Sequence, residues 1–164
     1  INLLSMLYVI FLTPYWNAYT DAYVKNDMKW IGRTFKKTFE LWGIMALAGL
    51  CLVAFAPIFY HLWVGNKVTI PVSLSLCTLF YICMYNLNNC VTYLINGLNK
   101  IRVQILTSLV FTALYIVAVF IIKGRYGAEG IVLAMGIAYL LMALIHFYQC
   151  HLLINNKAKG IWNK

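Results

Sequence analysis

Long apolar runs alternate along the chain with short, mostly basic connections. A helix crossing the hydrocarbon core of a bilayer needs about 20 apolar residues at roughly 1.5 Å each. Five runs meet that length, over about 1–24, 39–64, 70–98, 103–122 and 130–154. The second is free of charge from Leu41 onward, and the third carries no charged residue. Trp42 and Trp63 stand 21 positions apart. That is about 31 Å of helix, the spacing of an aromatic belt at each interface. A lone strand leaves backbone groups unpaired in lipid, so no strand is expected.

The first connection has a pattern of its own. On a helical wheel Met28, Ile31, Phe35, Phe39 and Trp42 share an arc of about 80°. Lys25, Lys29, Arg33, Lys36 and Lys37 crowd the adjoining arc. The pattern predicts an amphipathic helix over 27–38, lying in the interface and drawn to anionic head groups. It serves as a topology anchor or, more specifically, as a contact for a substrate head group. Asn26 suits a left-handed helix end, and Asp27 suits the first turn of the next helix.

Composition turns this pattern into a class. Hydrophobic residues make up 63% of the chain and charged residues 10%. A soluble domain has about 25% charged residues, so a soluble enzyme is excluded, and so is disorder. The expected fold is all-α, a polytopic membrane helical bundle. Lys and Arg number 13 against 4 acids, a net charge of +9. Ten of the basic residues fall in the connections 1–2 and 3–4 and after span five, against Lys67, Lys123 and Arg125 in the others. By the positive-inside rule the C-terminus is cytoplasmic and Ile1 is on the far side. Basic residues scattered between spans form no nucleic-acid face. The five cysteines lie in apolar stretches without ligand spacing, so no metal site is expected. The chain opens inside an apolar run without an initiator Met and reads as a fragment lacking its N-terminal portion.

Polar side chains inside the spans are the candidates for function, because lipid penalises them. Asn86, Asn89, Tyr93 and Asn96 fall within about 80° on one face of span three, with Asn88 pointing elsewhere. The stripe suits a path for a polar solute, or equally hydrogen bonds that only hold the bundle together. In span one Thr13, Asn17 and Thr20 share a face, and Pro14 should kink the helix. Asp21 pairs with Lys25 one turn on, or makes a gating or cation contact. Span four carries Gln104, Thr107, Ser108, Thr112 and Tyr115 over about 140°, and span five Tyr139, His146 and Gln149 within about 80°. His146 reads as a packed residue that titrates near neutral pH if solvated. Gly127 and Gly130 flank Glu129, permitting a tight turn and close helix approach. Carboxylate pairs, HExxH, phosphate loops and Ser/His/Asp sets are all missing from the sequence, so neither an enzyme nor a cofactor is expected.

Some of these residues form a recognisable series. Pro14-Tyr15-Trp16-Asn17-Ala18-Tyr19-Thr20-Asp21-Ala22-Tyr23, then Lys25-Asn26-Asp27 and Trp30-Ile31, resembles a signature of polysaccharide-repeat flippases. Asn96-Gly97-Leu98-Asn99-Lys100-Ile101-Arg102-Val103-Gln104 is similar to a connection of that family. Tyr126-Gly127-Ala128-Glu129-Gly130-Ile131 is similar to the start of its last helix. The family is that of Wzx-type O-antigen flippases, in the superfamily of multidrug and lipid-linked polysaccharide exporters. Asp21 stands where the family often has Glu, and Asn26 where it has Gly. The family's cavity cations have no counterpart at mid-membrane here.

The resemblance implies a 12-helix exporter fold of two lobes, with these five spans as the C-terminal lobe and the N-terminal lobe of the same chain missing. It implies translocation of an undecaprenyl-pyrophosphate-linked oligosaccharide across the bacterial inner membrane by alternating access, with H+ or Na+ coupling left open. Trp16, Asn17, Thr20, Asp21, Asn86, Asn89, Tyr93 and Asn96 are the expected pathway residues. The rival readings are a cation-coupled multidrug exporter, a membrane-embedded glycosyl- or acyltransferase, and a structural membrane subunit.

Overall fold

Four long helices carry the chain: α1 (Asn2–Val24), α2 (Met28–Val64), α3 (Val72–Gly97) and α4 (Arg102–Ile154). A short 3-10 turn, Gly160–Asn163, follows. The computed structural model describes the backbone of residues 2–64 and 71–164, and the side chains of all of these but 58–64 and 123. No strand occurs among the described residues. The expected belt partner Trp63 and the basic residues Lys67 and Lys123 lie outside the described side chains.

Two boundaries differ from the sequence expectation. The helix over 27–38 and the span over 39–64 form one unbroken helix, α2, of 37 residues. Nothing between them breaks helical geometry, because Thr38, Phe39 and Glu40 lack the Gly or Pro that stops a helix. Spans four and five lie within a single 53-residue stretch, α4, that is broken at Gly127 (φ 55, ψ −148). That left-handed φ is open to glycine without a Cβ penalty. The chain reverses there, because Thr107 before the break bonds His146 after it.

Helices consecutive in the chain run in alternating directions. Tyr8 and Tyr19 of α1 meet Thr38 and Trp30 of α2, an antiparallel pairing. Thr38 and Trp42 of α2 meet Cys90 and Cys83 of α3, again antiparallel. Ser5 meets Asn86 and Thr20 meets Gly97, so α1 and α3 are parallel. The ends of α1, α3 and α4 therefore lie together with the start of α2. The ten basic residues of the short connections and the C-terminal segment gather there and make it the basic end of the bundle.

The same helix stop is used three times at that end. Asn26, Asn99 and Asn156 have φ of 56°, 56° and 55°. The amide after each returns to a carbonyl five residues back: Asp27 to Ala22, Lys100 to Ile95 and Lys157 to Leu152, at 2.9, 3.1 and 2.8 Å. This is the Schellman cap, with Asn in the place more often taken by Gly. Asp27 then starts α2, its Oδ1 accepting the Trp30 amide at 2.9 Å.

Met28–Pro57, Arg102–Ile122 and Gly124–Ile154 are long and apolar enough to cross a membrane. Ile121 is 74% exposed and Leu109 66%, on a helix stretch with no buried residue in its most apolar window. Surface of that kind belongs in lipid, and the chain is a membrane protein. α1 and α3 have spanning length, 23 and 26 residues, but carry more amide, hydroxyl and tyrosine side chains. α3 lies largely inside the bundle, whereas α1 buries one face and leaves Leu3, Met6, Leu7, Ile10 and Phe11 exposed on another. Tyr8, Leu12 and Tyr19 of α1 and Val91, Leu94 and Ile95 of α3 are almost fully buried against one another and α2.

Candidate functional site

α3 separates two polar regions. On its α1 side, Asn86 is fully buried and exchanges hydrogen bonds with Ser5 at 3.0 and 3.1 Å. It also donates to the Ile82 carbonyl at 3.0 Å. Further along the same seam Tyr93 meets Trp16 edge to face, ring centres 6.1 Å apart. Thr20 donates to the Gly97 carbonyl at 2.9 Å, across a contact where a Cβ on Gly97 would come within 2.6 Å of Tyr19 Cβ. Asn17 and Asp21 are exposed, and Asp21 holds Lys25 at 2.7 Å, the local one-turn pairing. Pro14 lies inside α1, which runs through it as one helix. Asn96 is half-buried near the end of α3.

On the other side, between α3 and both halves of α4, is a cavity of about 500 Å³. Asn88, Asn89 and Thr92 line it from α3. Gln104, Ser108, Thr112 and Tyr115 line it from the first half of α4, and Tyr139 and His146 from the second. The volume falls in the ordinary range for small-molecule sites. None of its lining residues carries a formal charge, apart from a His146 that would have to protonate.

One side of the cavity is a hydrogen-bonded relay. His146 Nδ1 stands 2.9 Å from Asn88 Oδ1, and His146 Nε2 stands 2.7 Å from Thr107 Oγ1. With the proton on Nδ1, the imidazole donates to Asn88 and accepts from the Thr107 hydroxyl. The relay ties α3 to both halves of α4. Tyr85 and Tyr139 pack edge to face at 5.2 Å, and Tyr81 closes an aromatic cluster behind them. Two buried atoms of cavity-lining residues, Thr92 Oγ1 and Gln104 Oε1, make no hydrogen bond within the protein. A buried polar atom left alone costs about 1–3 kcal/mol, so most proteins do not leave one.

The pathway residues expected from sequence are therefore divided. Asn86, Tyr93, Trp16 and Thr20 belong to the α1–α3 seam, and Asn89 alone reaches the cavity. Asn88, set apart on the helical wheel, is a central cavity residue. The polar arcs of spans four and five were visible in the sequence. Only the reversal at Gly127, which turns them toward each other and toward Asn88, makes them one site.

The arrangement can hold a neutral, hydroxyl-rich ring. Amides and hydroxyls supply donors and acceptors, and tyrosine faces supply stacking surface. No group of three or more His, Cys, Asp or Glu able to hold a metal occurs among the described residues. No protein-family model, curated protein or solved structure matches the chain.

Proposed function

We propose that the chain supplies five membrane helices of a flippase for lipid-linked oligosaccharides, working by alternating access in a bacterial inner membrane. The observation that carries this reading is the uncharged cavity, lined by amides and hydroxyls beside tyrosine rings. Uncharged hydrogen-bonding groups beside aromatic faces suit sugar hydroxyls better than an ion. The sequence likeness to Wzx-type flippases supports the same reading, with the basic end cytoplasmic by its charge excess. The tyrosine cluster Tyr81, Tyr85 and Tyr139 favours a second reading, an exporter of aromatic cations held over ring faces.

The test is deletion of the gene in the cells that encode it, followed by quantification of lipid-linked oligosaccharide and surface polysaccharide. Accumulation of the lipid-linked repeat with loss of the surface polymer, restored by the wild-type gene, supports the flippase. Unchanged polysaccharide with heightened sensitivity to cationic drugs replaces it with the exporter.

A further inference from the structure

The basic end holds a second cavity, separate from the polar one. It measures about 680 Å³ and lies between α2 and the end of α4. Lys29, Arg33 and Lys36 line it from one face of α2, at helical spacing i, i+4 and i+7. Gly32 and Met28 form part of its floor with Ile154, and a Cβ on Gly32 would touch Ile154 Cγ2 at 3.4 Å. Three cations converge there without a carboxylate partner. Among the described residues the one ion pair is Lys25 with Asp21, and Asp27 is engaged in capping α2. Glu40, a turn beyond Lys36, makes no ion pair with it.

The cleft opens onto an apolar lane. Phe147 of α4 packs on Phe35 and Phe39 of α2, ring centres 5.8 and 6.4 Å apart. Phe147 and Phe39 nevertheless stay 45% and 39% exposed, and Leu144 one turn further is 58% exposed. Ile154, Phe147 and Leu144 fall on one side of α4, leading from the cleft toward mid-helix. A cationic cup continuous with an exposed apolar seam matches one chemistry, a phosphate head group with its acyl chain.

We propose that this cleft binds the phosphate of an anionic lipid, with Arg33 as the forked donor, Lys29 and Lys36 flanking it, and the acyl chain along Phe39 and Phe147. The site does not depend on what the protein transports, so it stands or falls separately from the flippase reading.

Native mass spectrometry of the purified full-length protein tests it, with phosphatidylglycerol, phosphatidylcholine and inorganic pyrophosphate as probes. Phosphatidylglycerol should bind at least about tenfold more tightly than phosphatidylcholine. The triple variant Lys29→Gln, Arg33→Gln, Lys36→Gln should lose that preference, while Lys157→Gln, Lys159→Gln keeps it. Phe147→Ser should weaken the lipid and leave pyrophosphate unchanged. Equal loss in both charge variants would mean diffuse attraction and would overturn the proposal. Pyrophosphate binding as tightly as the lipid, with Phe147→Ser without effect on either, would assign the cleft to a soluble phosphate instead. The substituted residues are exposed or line the open cleft, and a thermal melt matching wild type verifies that each variant is folded.

Discussion

Asn88 and His146 stand 58 positions apart in the chain, yet their side chains meet at 2.9 Å inside the bundle. The bond joins α3 to the second half of α4, and Thr107 extends it to the first half. Removing His146 leaves Asn88 buried without its partner, the costly direction of change, while Thr107 falls back on the Val103 and Gln104 carbonyls. His146→Leu should destabilise the purified protein by about 1–3 kcal/mol in unfolding measurements. A double-mutant cycle with Asn88→Leu should return a coupling of about 0.6–1.7 kcal/mol, the range of polar contacts between membrane helices. A coupling of zero would mean the two side chains do not interact.

Thr92→Val and Gln104→Leu act on atoms that have no partner in the fold. Each should leave unfolding stability unchanged or raise it, because an unpaired buried group is removed. Transport of the native cargo should nevertheless fall, by about tenfold or more if one hydrogen bond to a sugar is lost. Joint loss of stability and transport would make these residues part of the scaffold.

At the α1–α3 crossing, Gly97 permits the close approach of Tyr19 and the Trp16 carbonyl, 2.6 and 3.0 Å from where a Cβ would stand. Gly97→Ala should cost about 1–3 kcal/mol by overpacking, since backbone is among the atoms it meets. Gly43→Ala is the control: it has nothing within 4 Å and should gain up to about 1 kcal/mol of helix propensity. Thermal unfolding in detergent of the two variants side by side reads the difference.

The three asparagine caps predict a residue-specific pattern. Asn99→Gly should be neutral within a few tenths of a kcal/mol, since glycine accepts φ near 56° freely. Asn99→Val should cost about 1–2 kcal/mol, because a branched Cβ clashes in the left-handed region. Equal melting temperatures for the two would show that the cap contributes nothing.

Much of this fold is legible in the sequence because lipid allows few alternatives. Apolar runs marked α1, α2, α3 and the two halves of α4, and Asn26 and Asp27 marked the turn between α1 and α2 where the structure has it. The boundary between Thr38 and Phe39 was not legible, because the change from basic to apolar side chains is a change of surroundings and leaves the backbone bonds of α2 intact. The site was legible only in pieces. A helical wheel orders Asn86, Asn88 and Asn89 around one axis but does not say that α1 lies beside Asn86 and α4 beside Asn88. That information resides in helix packing, and in the reversal at Gly127 that brings Tyr115 and Tyr139 to one cavity.

α3 has a consequence for how the protein is made. Asparagines resist entry into lipid, whereas the three strongly apolar stretches enter it readily. Asn86 finds Ser5 already synthesised, but Asn88 must await His146, 58 residues later. At about 5–20 residues per second, ribosomes leave that side chain unpartnered for about 3–12 s. During that interval α3 has reason to linger beside the insertion machinery or at the membrane surface, until the second half of α4 arrives to escort it in.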